Sequence, residues 1–285
     1  MTDHMRLHDE AEAFAQRGYA LVRGVFSAEE TAFYRDHFMR LRVAGSYAGD
    51  VVGVDPAADD PLRRYPRMIH MHRWDEVSKR WLIEPRLNEI LTALLGGVEP
   101  FAVQTMLYFK PPGAGGQAPH QDNFYLRARP GTCIAAWLAL DRCDDENGCL
   151  QVVPGSQSWP ILCTVAADTT QSFTDITVPL PDEDAELVSM LMEPGDVLFF
   201  NGSLVHGSGP NRSGDRFRRA LVAHYVQGDA EEVARWYHPV LRMDGSEVEL
   251  ATSEGGGPCG EWSEVDGERA IALTGTIVEP SRRGE

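Results

Sequence analysis

The sequence predicts a mixed, strand-rich α/β fold, in which N-terminal helices pack on one side of a double-stranded β-helix of the jelly-roll, cupin-like type. Two observations lead to this prediction. Helical periodicity and a helix-capping signal occur before Val98. After Val98 the chain carries short runs of branched and aromatic residues separated by turn signals, which is the pattern of closely spaced strands. An initial helical section followed by many strands is typical of jelly-roll proteins with packed helices.

Three helices are predicted before the strands begin. Residues 7–17 show the spacing of an amphipathic helix, with apolar side chains on one face. A second helix begins after Ser27, whose side chain caps it together with Glu30, and runs to about Leu41. Residues 86–95 form the third helix, which the paired glycines that follow bring to an end.

Strands are predicted over most of the remaining chain. Residues 101–109 and 132–140 are apolar runs rich in β-favouring residues, and residues 220–226 have the composition of a buried strand. Residues 163–186 are predicted to be a polar excursion from the core. The stretch 245–267 is rich in Gly, Glu and Ser, and we expect it to be a surface loop.

The most informative chemical signal is His120-Gln121-Asp122, followed later by His206. Two imidazoles and one carboxylate are the ligands of the facial triad that holds Fe(II) for oxygen chemistry. Because alternate residues of a strand point to the same side, His120 and Asp122 are predicted to reach one metal ion from one strand, and His206 from another. The H-x-D tripeptide alone is equally compatible with two unrelated polar loop residues. The strand-like runs before His206 and after Arg218 favour the metal site.

The motifs around these residues resemble those of the phytanoyl-CoA dioxygenase family of Fe(II)/2-oxoglutarate oxygenases. Four segments carry the resemblance: the helix–strand–helix opening at 17–30, the NG-x-L-x-x-x-PGSH segment at 147–157 with Gln157 in place of histidine, PGD at 194–196, and HGSGPN at 206–211. The resemblance extends over about residues 10–228 and implies an eight-stranded jelly-roll core. We therefore expect one oxygenase domain spanning residues 1–285, with 229–285 as a C-terminal extension.

The resemblance also implies how the co-substrate is bound. Arg218 follows an aromatic residue as the family's site arginine does, and is predicted to pair with the C5 carboxylate of 2-oxoglutarate. Arg216 and Arg219 compete for this role, and strand alternation places Arg216 on the same side as Arg218. Ser208 is predicted to donate a hydroxyl hydrogen bond to the same carboxylate.

Further residues are predicted around this site with less specific signals. Three are expected to face the co-substrate, although the aromatic pair could equally be ordinary core residues: Gln104, Tyr108 and Trp137. Asn123 and Tyr125 are candidate substrate contacts, because they directly follow the ligand motif. His224 is predicted to be a histidine of a core strand and not a catalytic residue.

The segment 63–74 is strongly basic within an acidic protein. It is either a solvated loop that balances nearby acidic residues or a lid whose arginines meet an anionic group of the substrate. His70 and His72 within it resemble a second metal site, but no third ligand is apparent in the sequence.

The composition excludes several classes of partner. A formal net charge of −17 argues against nucleic acid and anionic membranes. No long apolar span and no signal-peptide pattern is apparent, so we expect a cytoplasmic protein without a membrane partner. The five cysteines are odd in number and lack C-x-x-C spacing, which predicts free thiols in a reducing compartment. Only Lys79 and Lys110 are lysines, an arginine bias typical of GC-rich bacterial genomes.

The function implied by the resemblance is that of a dioxygenase using Fe(II), 2-oxoglutarate and O2. Hydroxylation of a small molecule, with release of succinate and CO2, is the expected outcome; desaturation, epoxidation and cyclisation are open to the same chemistry. Asp122 favours hydroxylation over halogenation, because related halogenases leave this carboxylate out so that chloride can bind the iron. A bacterial secondary metabolite or a small solute is the expected substrate. The alternative is a non-redox metal-dependent jelly-roll isomerase or small-molecule binding protein, which would not need Arg218.

Overall fold

A computed structural model describes residues 3–47, 50, 53–181 and 187–277. The helices are α1 (Asp3–Arg17), α2 (Ala28–Val43), α3 (Pro61–Arg64), α4 (Glu76–Leu82), α5 (Pro85–Leu94) and α6 (Asn123–Leu126). The strands of the first half are β1 (Tyr19–Val22), β2 (Met68–Ile69), β3 (Pro100–Tyr108), β4 (Gln117–His120), β5 (Cys133–Ala139) and β6 (Leu150–Val152). Those of the middle are β7 (Val165–Ala166), β8 (Ile176–Thr177), β9 (Val188–Ser189), β10 (Val197–Asn201), β11 (His206–Ser208) and β12 (Ala220–Gln227). The last are β13 (Glu232–Ala234), β14 (Val240–Leu241), β15 (Glu247–Val248), β16 (Ala251–Ser253), β17 (Pro258–Val265) and β18 (Glu268–Thr276).

The three predicted helices are present as α1, α2 and α5. The capping box of α2 is complete: the Ser27 hydroxyl accepts from the amide of Glu30 at 3.2 Å, and the Glu30 carboxylate accepts from the amide of Ser27 at 2.8 Å. Three short helices, α3, α4 and α6, were not predicted. The carboxylate of Asp75 caps α4 by accepting from the amide of Ser78 at 2.7 Å, a local signal of the same kind as that at Ser27.

Two sheets form the core. The larger has eight strands in the order β1-β10-β5-β12-β3-β14-β15, with β2 added beside β3, and the smaller has the order β4-β11-β6-β9. The sheets face each other without closing into a barrel. This arrangement, together with the helical layer, confirms the predicted strand-rich jelly-roll architecture.

Strand alternation sorts the side chains of the large sheet between its two faces. In β5, Ile134, Ala136 and Leu138 pack with the helices, in a cluster that also contains Phe38 and Leu91. Ala135, Trp137 and Ala139 of β5 pack in a second cluster with Leu150 and Val152 of the small sheet. Because both faces are covered, β5 is buried over its whole length.

Two of the sequence motifs meet at one carboxylate, Asp196 of the PGD turn. One of its oxygens accepts from the backbone amide of Gly24 at 2.9 Å, and the other accepts from Nη1 of Arg23 at 2.7 Å. These bonds join the end of β1 to the start of β10, with which it pairs antiparallel. The PGD and RG motifs thus hold the first strand at the edge of the large sheet.

The prediction of a surface loop over residues 245–267 is wrong. This stretch contains β15, β16 and the whole of β17, and β17 pairs with β18 in a long antiparallel hairpin. The strands are polar on their exposed side, so their composition is that of a loop although the backbone is paired. The excursion predicted over residues 163–186 contains the β7–β8 pair, and its residues 182–186 lie outside the described residues.

The prediction that all five cysteines are free is also wrong. Cys163 and Cys259 form a disulfide between positions 96 residues apart, and this bond ties the β17–β18 hairpin to the excursion. A pair so distant in sequence has no spacing signal of the C-x-x-C kind. The remaining cysteines are free and buried: Cys133, Cys143 and Cys149. Among the described helices, none has the length and apolar character needed to cross a bilayer.

Candidate metal and co-substrate site

A cavity of about 230 Å³ lies between the two sheets. Eight of the residues that line it are those for which the sequence analysis predicts metal or co-substrate contacts: Gln104, Tyr108, His120, Asp122, Trp137, His206, Ser208 and Arg218. Tyr125 also lines the cavity. Asn123 does not line it; its side-chain oxygen accepts from the amide of Ala128 at 3.0 Å.

His120, Asp122 and His206 converge at one end of the cavity. Each offers one ligand atom, and these three atoms lie within 4.8 Å of one another. His206 is the direct cross-strand partner of His120 in the β4–β11 pair. A Cβ atom at Gly207 would lie only 2.8 Å from the carbonyl oxygen of Gln117, so glycine in the HGS motif allows these two strands to approach.

Asp122 does not extend the strand of His120, contrary to the prediction that both residues lie on one strand. β4 ends at His120, and Asp122 has helical backbone angles (φ −63°, ψ −34°) at the start of α6. The turn at Gln121 therefore brings the carboxylate round to the imidazole. Gln121 is held there by bonds between its side chain and the backbone of residues 160, 162 and 203.

The two imidazoles present the same nitrogen to the centre of the site. Nδ1 of His120 lies 2.9 Å from the carbonyl oxygen of Ala118, and Nδ1 of His206 lies 2.9 Å from that of Leu204. A carbonyl oxygen only accepts, so each Nδ1 is the donor, and Nε2 carries the lone pair when the ring is neutral. Burial lowers the pKa of His206 to about 4, which keeps this ring neutral near pH 7.

Asp122 is held as a carboxylate. Burial acts to raise its pKa, but the surrounding imidazoles of His206, His224 and His120 outweigh this effect, so the pKa lies well below its usual value. Oδ1 lies 3.5 Å from Nε2 of His120 and 3.6 Å from Nε2 of His206. Oδ2 accepts from Nε2 of His224 at 3.0 Å. His224 is thus a buried strand residue, as predicted, but it lines the cavity and orients a candidate ligand.

The guanidinium of Arg218 lies in the same cavity and is only 3% exposed. Its Nε donates to the carbonyl oxygen of Gly148 at 3.2 Å, and its Cζ lies 5.2 Å from the centroid of the Trp137 ring. Nη1 is buried and has no hydrogen-bond partner among the described residues. A buried cation is costly unless it is paired, so this guanidinium fits an anionic ligand that enters the cavity.

The competing arginines are engaged elsewhere. Arg216 pairs with Asp144 at 2.7 Å and with Glu146, and Arg219 pairs with Asp141 at 2.7 Å. Neither lines the cavity. Strand alternation did not carry Arg216 to the side of Arg218, because β12 begins only at Ala220.

Ser208 and Lys110 lie beside Arg218. Nζ of Lys110 donates to Oγ of Ser208 at 2.7 Å, to the carbonyl oxygen of Gly209 at 2.6 Å, and to that of Gly148 at 3.2 Å. Because Oγ of Ser208 accepts from Lys110 and, at 3.3 Å, from the amide of Gln117, its own hydrogen is free to donate into the cavity. Burial holds the pKa of Lys110 well below its usual value, and the charge of Arg218 acts in the same direction.

The sequence analysis missed Lys110 as a site residue and set His224 aside, although alternation indicates both. Gln104, Met106 and Tyr108 follow one another in steps of two along β3, and the next step, just past the end of the strand, is Lys110. In β12, Val222 and His224 both line the cavity, on the side of the strand opposite to the helices. His224 pairs with Gln104 of the neighbouring strand, which was predicted to face the cavity. A polar residue opposite a predicted cavity residue is the signal that could have identified His224.

The basic segment reaches the cavity through two side chains, those of Arg67 and Ile69, and only the first is charged. His70 and His72 do not form a metal site: within the described part of the chain, the one group of metal-ligating side chains is that of His120, Asp122 and His206. Burial lowers the pKa of His70 to about 3 and that of His72 to about 4, as is usual for neutral core histidines.

The sequence is similar to known proteins over most of its length. A family model described as phytanoyl-CoA dioxygenase matches residues 14–220. Phytanoyl-CoA dioxygenase 1 of Oryza sativa subsp. japonica is 32% identical over 256 residues, which cover 79% of this chain and 90% of the rice protein. A probable phytanoyl-CoA dioxygenase of Caenorhabditis elegans is 34% identical over 253 residues, covering 78% of this chain and 75% of the nematode protein.

Solved structures share the fold. EvdO2 from Micromonospora carbonacea var. aurantiaca, complexed with 2-oxoglutarate, superposes with a TM-score of 0.59 at 26% identity, over 80% of this chain and 92% of that one. The non-heme alpha ketoglutarate dependent epimerase SnoN from nogalamycin biosynthesis gives a TM-score of 0.59 at 25% identity, over 80% and 83% of the two chains. EctD from S. alaskensis with bound Fe, 23% identical, has the same fold with a TM-score of 0.60 over 80% and 77%.

Proposed function

Because this chain belongs to the phytanoyl-CoA dioxygenase family, we propose that it is an Fe(II)/2-oxoglutarate-dependent dioxygenase that hydroxylates a small molecule and releases succinate and CO2. One observation carries the proposal. A His-Asp-His cluster and a buried arginine without a carboxylate partner among the described residues share one cavity. A metal site alone does not require the arginine, whereas a metal site that binds a dicarboxylic 2-oxo acid does.

The residues fit both groups. His120, Asp122 and His206 would hold Fe(II) through two Nε2 atoms and Oδ1, the donor set of a facial triad. Arg218 would pair with the C5 carboxylate of 2-oxoglutarate, and the Ser208 hydroxyl would donate to the same carboxylate. The bound iron, with 2-oxoglutarate and O2, supplies oxidation of a substrate C–H bond coupled to decarboxylation of the co-substrate.

The other residues of the site position these groups. The Nε2–H of His224 holds Oδ2 of Asp122, so that Oδ1 faces the two histidines. Trp137 lies against the guanidinium of Arg218 and limits its movement. Apolar side chains of both sheets line the remaining wall and exclude water from the reacting groups: Ile69, Met106, Leu150, Phe200 and Val222.

The comparisons support the class of enzyme, and the choice of hydroxylation is our own. SnoN, at 25% identity, is described as an epimerase, so a similar fold supports another outcome of substrate oxidation. Hydroxylation is the outcome that needs no further protein group. The presence of Asp122 also supports it over halogenation, for which a carboxylate ligand would have to be absent. A non-redox isomerase or binding protein is disfavoured by the buried Arg218, for which no described residue supplies a carboxylate partner.

A single domain over residues 1–285 remains part of the proposal. It is supported by the bond between Cys163 and Cys259 and by the ring contact of Trp159 with Trp262, whose centroids lie 5.1 Å apart. Both contacts fix the C-terminal hairpin to the region matched by the family model. Residues 278–285 lie outside the described residues.

Succinate formation from 2-oxoglutarate tests the function directly. The protein is loaded with Fe(II) without oxygen and then exposed to air, first alone and then with a bacterial metabolite extract. Slow succinate formation that the extract stimulates would support the oxygenase, and fractionation would then lead to the substrate. Absence of succinate in both conditions, with iron shown to be bound, would favour the non-redox alternative.

A further inference from the structure

The basic segment 63–74 contains four arginines, and three of them are satisfied within the fold. Arg63 pairs with the carboxylate of Asp55 at 3.8 Å, and Arg64 donates to the carbonyl oxygen of Ala58 at 3.1 Å. Arg73 donates to the carbonyl oxygens of Trp236 and His238 at 2.6 and 2.8 Å. Arg67 is the exception: it makes no hydrogen bond and no ion pair with any described residue. It is also the one arginine of the four that lines the cavity.

The guanidinium of Arg67 rests on a fixed surface. Its Cζ lies 5.8 Å from the centroid of the Phe173 ring, which is 38% exposed. The backbone amide of Phe173 donates to the carbonyl oxygen of Gly116 at 2.9 Å, immediately before β4. The same short strand ends at His120, so the platform under Arg67 is held by the element that carries a candidate iron ligand.

Arg67 shares the lining of the cavity with polar side chains, among them Tyr108, Tyr125 and Thr174. Burial raises the pKa of Tyr125 to about 12, and the charge of Arg67 acts against that rise. Burial also raises the pKa of Tyr108, and Arg67 again acts in the opposite direction. Thr174, next to Phe173, lines the same side of the cavity. Tyr108, Tyr125 and Thr174 thus form the polar part of the wall that also contains the Arg67 guanidinium.

The charges of the cavity do not balance when only iron and co-substrate are placed in it. Its lining contains two arginines, Arg67 and Arg218, and one carboxylate, Asp122. The proposed function assigns Asp122 to the iron and Arg218 to 2-oxoglutarate. Arg67 then remains without a counter-charge, although the chain carries 43 acidic and only 26 Lys and Arg residues. A guanidinium is suited to planar, bidentate binding of an oxyanion.

We propose that Arg67 binds an oxyanion of the substrate, a carboxylate or a phosphate, so that the substrate is an anionic small molecule. The inference rests on the proposed function, because it takes Arg218 as occupied by the co-substrate. The exposure of Arg67 at the cavity opening allows a substrate to reach it from solvent while another part of the molecule faces the iron site. The stack on Phe173 limits the orientations of the guanidinium before the substrate arrives.

The experiment uses a bacterial metabolite extract separated on an anion exchanger. For each fraction, the rate of succinate formation is divided by the rate without extract, and the fraction concentration that gives half-maximal stimulation is recorded. We expect the stimulating activity in the retained, anionic fraction. R67Q should need about tenfold more of it, and R67K should fall between R67Q and the unmodified protein. R63Q is the matched control, because Arg63 belongs to the same segment, pairs with Asp55 and does not line the cavity.

Three results would overturn the inference. They are stimulating activity in the unretained fraction, a response of R67Q equal to that of R63Q, and a loss of 2-oxoglutarate affinity in R67Q without a changed response to the fraction. Phosphatase treatment of the active fraction separates the two oxyanions, since only a phosphate ester loses its activity.

Native mass spectrometry of the same mixtures detects binding without turnover. If the unmodified protein makes no succinate but retains an anionic molecule that R67Q does not, the proposed function fails and the anion site stands. If it retains none, the anion site fails as well.

Discussion

Nε2 of His224 lies 3.0 Å from Oδ2 of Asp122, and Oδ1 of the same carboxylate faces His120 and His206 at 3.5 and 3.6 Å. One oxygen of the carboxylate is therefore engaged by a strand on the far side of the cavity, and the other is left for the metal. His224 belongs to β12 of the large sheet, whereas His120 and His206 belong to β4 and β11 of the small sheet. The candidate iron site is thus oriented by both sheets.

His224→Ala should weaken iron binding without removing a ligand. Without the Nε2–H donor, the Asp122 carboxylate can turn, and loss of such an orienting partner typically costs about 10- to 100-fold in metal affinity or activity. Anaerobic titration with Fe(II) measures the affinity. His224→Gln, which keeps a side-chain N–H donor, is the matched variant and should recover part of the loss. An alanine variant with unchanged iron affinity would show that His224 is only a core residue.

His206→Ala and Arg218→Ala should separate iron binding from co-substrate binding. Loss of His206 removes a ligand, so both iron binding and succinate formation should be lost. Loss of Arg218 should leave iron binding in place and raise the half-saturating concentration of 2-oxoglutarate at least tenfold, because a hydrogen bond to a charged group contributes about 1.5–3 kcal/mol. Fe(II) titration and succinate formation at varied 2-oxoglutarate give the two readouts.

Arg216→Ala is the control for the arginine series, because Arg216 is paired with Asp144 and Glu146 outside the cavity. If Arg218→Ala left the affinity for 2-oxoglutarate unchanged, the assignment of Arg218 would be wrong. A loss in Arg216→Ala equal to that in Arg218→Ala would point to a structural effect of the loop that carries both.

Features that depend on a few neighbouring residues could be predicted from the sequence. The capping box at Ser27 and Glu30 lies within one helical turn, and it is present as predicted. The motif around His206 indicated a strand-borne ligand, and His206 is the first residue of β11. The choice of Arg218 over its neighbours came from a family motif, and ion pairs with the carboxylates of Asp141 and Asp144 explain physically why Arg219 and Arg216 are held elsewhere.

Features that depend on distant pairing could not be predicted in this way. β4 ends at His120 because the chain then turns into α6, and no local signal at Asp122 marks that turn. The role of His224 depends on a carboxylate 102 residues away, and the disulfide joins positions 96 residues apart. The strands within residues 245–267 have a polar composition that does not indicate them. One of them, β16, pairs in parallel with β13, which is not its neighbour along the chain.

Lys110→Met should act on the co-substrate and leave the iron ligands untouched. Nζ of Lys110 donates to Ser208 and to the carbonyl oxygen of Gly148, which also accepts from Arg218. Without Nζ, the Ser208 hydroxyl loses its fixed orientation, and the carbonyl oxygen of Gly148 loses one of its two donors. We expect the half-saturating concentration of 2-oxoglutarate to rise about tenfold, with a smaller change in kcat. Lys79→Met, at the only other lysine, is the control. Equal losses of kcat and affinity in Lys110→Met, accompanied by a lower Tm, would indicate a structural role only.

The number of reactive thiols tests the bond between Cys163 and Cys259. Protein denatured without reductant should take up an alkylating reagent at three cysteines, since Cys133, Cys143 and Cys149 are free, and at all five after reduction. Mass spectrometry of the alkylated protein gives the count. Cys259→Ser should lower the Tm, because the bond closes a long loop of the unfolded chain and a native disulfide contributes about 2–5 kcal/mol. Cys143→Ser, at a buried free thiol, shows how much of that change comes from the loss of a sulfur atom alone. If protein purified and denatured without reducing agent were alkylated at all five cysteines, the disulfide would be absent and all five would be free thiols, as the sequence predicts.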